Sequence, residues 1–524
     1  MKKKCGIIIG LFLLLTIFYF EYSVTILWDS AHYMSYVNIF ERVLPWNSWD
    51  VVRGPIFPLV IYFGNLLFGK TSQGLIMNTY IYFLVMLLFS YRLLVYFFDK
   101  ISISKKKRNV LTGIIILTVI INPIIYGFYH SLLTEFVAIT ISVVSCYLAI
   151  LWLDCDYCKD TKKYILLSFI FTILTIVSWF LKQPYVSCAL FVLVVACFIS
   201  IFQVRKLKNF IVRFSTLLVC VIFLIISIQG WNIFLKKVGN DPNTDRNPTN
   251  SLGNQLITAI DFLRIDNDAD EVESIQYINY SKLNDKEKKE VKKLLKKNKE
   301  YLIINYYEGK KVTEADYLVC DDGNVSTGAA LKYIISVFVR HPVKVMDSYV
   351  TNYLSIIDVY STSTEDGVGY YSNKKVDLLF SSEIVTIGFR PYSYGTSNIF
   401  YMFPEMYERV QYYEQPNYAF KGLNVIMRFL GKIFLLLFKL LFLLLPFLLV
   451  ASVIMRIHYR KDISHRKVLN LIIIFFGFSF LHIMLHTVTG AIIDRYAVPV
   501  FLPVFIGTFM FCYFTLNQKM TKHK

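Results

Sequence analysis

Long apolar runs alternate with short polar segments along most of the chain. Each run approaches the roughly 20 residues that a helix needs to cross about 30 Å of hydrocarbon. The pattern predicts spans at Cys5–Leu27, Ser72–Phe98, Val110–Tyr126, Leu132–Leu153, Tyr164–Leu181, Tyr185–Gln203 and Phe210–Trp231. After a long polar stretch it predicts three more, within Phe429–Met455 and at Val468–His486 and Tyr496–Leu516. One further apolar segment, Ile56–Phe68, begins beside a proline and has only about 13 residues, which suits an interfacial or re-entrant helix better than a crossing.

The polar segments give the array a direction. Lys2–Lys4 precede the first span, and Lys105–Arg108, Lys159–Lys163, Arg205–Lys208, Arg456–Lys467 and the tail Lys519–Lys524 follow every second span. Basic residues concentrate in cytoplasmic loops. With Ile56–Phe68 not crossing, every one of these clusters falls on the cytoplasmic side, and both termini do as well. If that segment crossed, Lys105–Arg108 would lie outside. A net charge of +18 in a soluble chain would suggest nucleic acid; here the positive-inside rule accounts for it, and no nucleic-acid partner is expected. The reading is a multi-pass helical protein whose partner is the lipid bilayer, with about ten spans.

Three parts follow. Residues 1–231 form an N-terminal membrane core with a first outer loop at 28–71; 232–422 form a small extracytoplasmic domain of mixed structure; 423–524 return the chain to the membrane. Within the middle part, Asp285–Tyr301 reads as a Lys-rich solvated helix, Gly328–Ile357 as a helix broken at His341-Pro342, and Tyr360–Tyr418 as irregular or short-stranded. The nine cysteines fall mostly in apolar spans, where they act as small hydrophobes. Cys320 alone lies in the large polar region, so no internal disulfide staples it. Cys155 and Cys158 share a metal-like spacing that no second pair completes. No internal repeat argues for an inverted-repeat transporter.

Chemistry-bearing residues gather at one face. The first outer loop carries Asp29 at the membrane exit, then His32, Tyr33, Arg42 and Arg53. Thr134-Glu135 opens the fourth span, Lys182-Gln183-Pro184 joins the fifth and sixth, His482 and His486 lie near the outer end of the ninth, and Asp494-Arg495-Tyr496 opens the tenth. Ionised groups at membrane depth are costly and tend to be paired or functional. One acid with several cations at the outer face suits glycosyl transfer from a polyprenyl-phosphate sugar. The departing phosphate needs cations and no general acid, and one carboxylate suffices to deprotonate the acceptor hydroxyl. No phosphate-cradling P-loop is present to bind a nucleotide.

Taken in order, Trp28-Asp29-Ser30-Ala31-His32-Tyr33, Arg53-Gly54-Pro55-Ile56-Phe57-Pro58, the Phe68–Ser72 turn, Thr134-Glu135, Lys182-Gln183-Pro184, Arg340-His341-Pro342 and Asp494–Pro499 resemble landmarks of the GT-C glycosyltransferases. The branch is that of protein O-mannosyltransferases and aminoarabinose transferases. The resemblance covers the membrane core and the last span. It implies a GT-C-like fold, with Ala31–Leu44 and Ile56–Phe68 as paired interfacial helices. It implies Asp29 as catalytic base and Glu135 as the second catalytic candidate, shaping the site. Lys182, Arg495 and Arg53 would meet the donor phosphate, with His32, Tyr33 and Tyr496 as further site residues. Ser30 stands where the family often has a second acid, and Arg53 where aminoarabinose transferases have lysine.

The expected activity is therefore an inverting transfer of sugar from a polyprenyl-phosphate donor to a hydroxyl acceptor on the outer face of the cytoplasmic membrane. No cofactor is assigned; a divalent cation stays open, and no residues are assigned to a metal. Asp29, Glu135, Lys182 and Arg495 are expected to converge on one outward site. The alternatives are a surface-polysaccharide polymerase or ligase, which would rely on late-loop Arg or His, and a lipid-linked sugar transporter, which would carry charges at mid-span.

Overall fold

The computed structural model describes residues 13–20, 33, 36–49, 53–155, 159–201, 207–239, 327–340, 342–357, 421–489 and 494–522, with short pieces at 256, 278–279, 284–286, 289, 319–321 and 324–325. Among the described residues, thirteen helices with defined bounds carry the architecture. They are α1 (Ile56–Phe68), α2 (Ser72–Lys100), α3 (Lys105–Ile120), α4 (Pro123–Tyr129), α5 (Glu135–Asp154), α6 (Thr161–Leu181) and α7 (Ser187–Ile201). After these come α8 (Leu207–Lys237), α9 (Thr327–Arg340), α10 (Pro342–Ile356), α11 (Lys421–His458), α12 (Ile463–Val488) and α13 (Val498–Lys522). Three short strands, β1 (Ile278–Asn279), β2 (Val319–Asp321) and β3 (Asn324–Val325), pair in the order β1-β2-β3.

Eight helices among the described residues are long and apolar enough to cross a membrane, so the chain is a multi-pass helical membrane protein. The expected first span is described only over 13–20, which is helical. That piece is tied inward: the Tyr19 hydroxyl donates to the Tyr129 carbonyl at 3.2 Å, and the Tyr126 hydroxyl donates to the Phe18 carbonyl at 2.9 Å.

Two expectations need correction. The third span is not one helix. Between α3 and α4 the axis bends by 59°, because Pro123 lacks an N–H and cannot continue the α3 ladder. Asn122 restarts the chain as an N-cap, its Oδ1 accepting from the Ile124 N–H at 3.0 Å. The first-loop helix expected over Ala31–Leu44 ends sooner. Residues 36–40 are helical, and a turn follows in which Arg42 takes φ 62°. Other elements overrun their expected bounds at the polar ends, where hydropathy stops but helix propensity does not: α8 continues to Lys237 and α11 begins at Lys421.

The segment Ile56–Phe68 is a helix with the expected bounds. At 1.5 Å per residue it is about 20 Å long, short of a bilayer's hydrocarbon core. It turns back onto α2 through Gly69, whose φ of 85° lies in the region glycine adopts without a Cβ clash. α9 ends at Arg340 and α10 begins at Pro342, as the proline dictates.

Helices α5 and α12 are the most enclosed, with 78% of each apolar stretch buried, against 22% for α8. α5 packs along α2, α7 and α13, and α12 along α7, α11 and α13. The Lys- and Arg-bearing ends gather at one end of this bundle. Lys467, at the start of α12, pairs with Asp154 at the end of α5 at 2.9 Å. The Ser464 hydroxyl donates to the Lys100 carbonyl, and the Lys107 ammonium sits 5.6 Å from the centre of the Tyr513 ring. Segments separated by hundreds of positions thus meet where the charge pattern puts one membrane face.

Candidate functional site

The opposite end of the bundle holds most of the singled-out polar residues that are described. α5 begins there, with Glu135 in its first turn and fully buried. A carboxylate at a helix N-terminus gains from the helix dipole, and one removed from water needs hydrogen-bond donors. Two are supplied. The Tyr185 hydroxyl donates to Oε1 at 2.9 Å, and the Thr134 hydroxyl to Oε2 at 3.2 Å.

Tyr185 is held there by the Lys182-Gln183-Pro184 joint. α6 stops as Lys182 takes an extended backbone (φ −166°), and Gln183–Val186 form one 3-10 turn before α7. Pro184 fits this first turn because its missing N–H would have no partner there. The Tyr185 N–H closes the turn onto the Lys182 carbonyl at 2.8 Å. Lys182 then reaches across to α13's entry: its ammonium lies 4.6 Å from the centre of the Tyr496 ring, a cation–π distance. Tyr496 sits on the 3-10 turn Asp494–Ala497, with its ring edge-on to Tyr185 at 6.1 Å and 82°.

Two histidines complete this cluster. His486 stacks on Tyr496 at 4.6 Å and 19°, and His482 lies edge-on to His486 at 4.8 Å. His482 bridges α12, α7 and the 3-10 turn. Its Nε2 is 2.6 Å from the Tyr496 carbonyl, and its Nδ1 contacts the Ser187 hydroxyl. A carbonyl only accepts, so Nε2 carries a proton; the Ser187 hydroxyl beside Nδ1 also faces the Pro184 carbonyl, 2.7 Å away, as an acceptor for its one proton.

The first outer loop docks on the same end. Gly54 lies against the backbone of Phe180; a Cβ built on it would stand 1.9 Å from the Phe180 oxygen. No other residue fits there, and the contact brings Arg53 to the end of α6, close to Lys182 in the chain. Arg53 Nη1 donates to the Tyr33 hydroxyl at 3.3 Å, with its guanidinium 5.3 Å from the Tyr33 ring centre. Tyr33 is edge-on to Phe57, and Phe57 to Phe136, which links the loop to the residue beside Glu135. An aromatic clamp of Tyr36, Trp46, Trp49, Trp231 and Phe234 fixes the loop onto the end of α8.

Of the residues singled out in the sequence, Glu135, Lys182, Tyr496, Arg53 and Tyr33 belong to this end of the bundle. Asp29 and His32 lie outside the described residues. Arg495 is placed on the 3-10 turn by its backbone, and its side chain lies outside the described part. Among the described residues, no group of three His, Cys, Asp or Glu is arranged to hold a metal ion. Tyr185, the main partner of Glu135, was not singled out in the sequence: one tyrosine among 37 carries no local mark of a carboxylate partner. Comparison with protein-family models, curated proteins and solved structures returns no match.

Proposed function

We propose that the chain is an inverting glycosyltransferase of GT-C type that moves a sugar from a polyprenyl-phosphate donor to a hydroxyl acceptor at the outer membrane face. One observation supports this above the rest. Arg53, Glu135, Lys182 and Tyr496, from four separate segments, lie at the end of the bundle opposite its Lys- and Arg-bearing loops. A lipid-linked donor presents its phosphate at such a depth while its tail stays among the helices.

In this reading Asp29, at the first membrane exit, takes the proton from the acceptor hydroxyl. The freed oxygen attacks the anomeric carbon on the side away from the phosphate. The bond from that carbon to the phosphate oxygen breaks, its electron pair stays with the phosphate, and the configuration inverts. Lys182, Arg53 and Arg495 offset the charge that builds on the phosphate. Glu135 has both oxygens occupied by hydroxyl donors, which suits a fixed charge that holds Tyr185 and orients the cations. Residues 232–422 would select the acceptor.

The test is transfer of radiolabelled sugar from a panel of undecaprenyl-phosphate sugars in membranes carrying wild type or an equally expressed Asp29→Asn variant. Transfer by wild type that is lost in Asp29→Asn is the expected result. Equal transfer by both removes Asp29 as the base.

A further inference from the structure

The cluster at the end of α12 contains one polar group whose hydrogen-bonding capacity is unused. His486 is completely buried, and among the described residues neither of its ring nitrogens has a hydrogen-bond partner. His482, one turn earlier, has both nitrogens engaged. Buried polar groups in proteins are nearly always paired, and one that is not calls for a reason. A neutral imidazole always carries one N–H donor, and among the described residues that donor of His486 meets no acceptor.

Its surroundings indicate what would meet it. The Lys182 ammonium and the His486 ring each stand 4.6 Å from the centre of the same Tyr496 ring. They are therefore no more than twice that distance apart. A phosphate that receives hydrogen bonds of about 2.8 Å on two of its oxygens bridges a gap of that order. An N–H donor beside a fixed ammonium selects an acceptor-rich anion rather than an alcohol or an apolar group.

We propose that His486 is a ligand-binding residue whose ring N–H donates to an oxygen of a phosphate group held by Lys182. That the phosphate is carried on a lipid rests on the transferase reading above; the two-point seat itself requires only the phosphate. His482 is then the positioning residue, fixing the Tyr496 backbone, while His486 makes the contact.

The experiment measures binding to the full chain in nanodiscs of three probes: polyprenyl phosphate without sugar, the polyprenol of equal length, and inorganic phosphate. Wild type is compared with His486→Phe, which keeps the stack on Tyr496 and removes both nitrogens, and with His486→Gln, which retains an N–H donor. Wild type is expected to prefer polyprenyl phosphate over polyprenol. His486→Phe should bind polyprenyl phosphate about tenfold more weakly, the scale of one charge-assisted hydrogen bond, and His486→Gln should recover part of that loss. Without ligand, His486→Phe should melt at or above the wild-type temperature, since it buries no unmatched nitrogen. Inorganic phosphate that competes for the wild-type site but not for the His486→Phe site also supports the seat, with free phosphate as a source. A preference for phosphate lipid that His486→Phe retains at wild-type affinity, with a lower melting temperature, overturns the role of His486 and leaves the transferase reading standing. A wild type that does not distinguish polyprenyl phosphate from polyprenol, and does not bind inorganic phosphate, overturns the seat and the lipid-phosphate donor together.

Discussion

Tyr185 and Glu135, 50 positions apart, share a hydrogen bond of 2.9 Å in which neither residue touches solvent. It joins the start of α5 to the turn between α6 and α7, so the acid and the Lys182 joint form one unit. A hydrogen bond to a charged group contributes about 1.5–3 kcal/mol. A double-mutant cycle with Tyr185→Phe and Glu135→Gln, read by unfolding in detergent, should return a coupling of about that size. Losses that simply add would show that the two side chains act separately.

The docking of the first loop depends on Gly54. Gly54→Ala places a methyl group 1.9 Å from the Phe180 oxygen, and overpacking of this kind costs about 1–3 kcal/mol. Moving Arg53 away from α6 should also reduce sugar transfer. Gly113→Ala, inside α3 with no atom within 4 Å of the added methyl group, is the control and should stabilise by about 0.5–1 kcal/mol. Thermal unfolding that ranks the two variants equally would exclude the close approach.

At the basic end, Arg213 is buried. It donates to the Ser200 hydroxyl at 3.0 Å and to the Leu153 and Cys155 carbonyls at 3.0 and 3.2 Å, capping the end of α5. A cation at a helix C-terminus is stabilising, and the planar fork serves several acceptors as a lysine ammonium cannot. Arg213→Lys should therefore destabilise by about 2 kcal/mol, measured as a shift of the unfolding midpoint. A shift within error would mean that the cap contributes little.

Asn122 caps α4 at the bend that Pro123 imposes. Asn122→Ala removes the acceptor for the Ile124 N–H and should cost about 1 kcal/mol, with Asn122→Ser recovering most of it. If the serine variant is as unstable as the alanine variant, capping is not what the side chain supplies.

Topology is tested by labelling. A cysteine placed at Gly69, after the short α1, should react with a membrane-impermeant maleimide added from outside. One placed at Lys105 should react only after permeabilisation. Reaction of both positions from one side would require α1 or α2 to be reassigned.

The sequence by itself determined the helical membrane class, the short α1 and the break at Pro342. Those depend on properties each segment carries alone: the length of an apolar run, and a proline that cannot donate to a helix ladder. Asn122-Pro123 was equally visible, yet an apolar run on both sides made one span the simpler reading; the bend follows from the missing donor, not from hydropathy. The tertiary structure decided the rest. His482 and His486 look alike in sequence, one turn apart on one helix. Only the Ser187 hydroxyl and the Tyr496 carbonyl, brought from other elements, give His482 its partners and leave His486 without any among the described residues. Likewise Glu135 shows no local sign that Tyr185 will meet it. Hydrophobic periodicity is a local signal that says which segments fold into helices; the partners of a buried polar group come from how those helices pack.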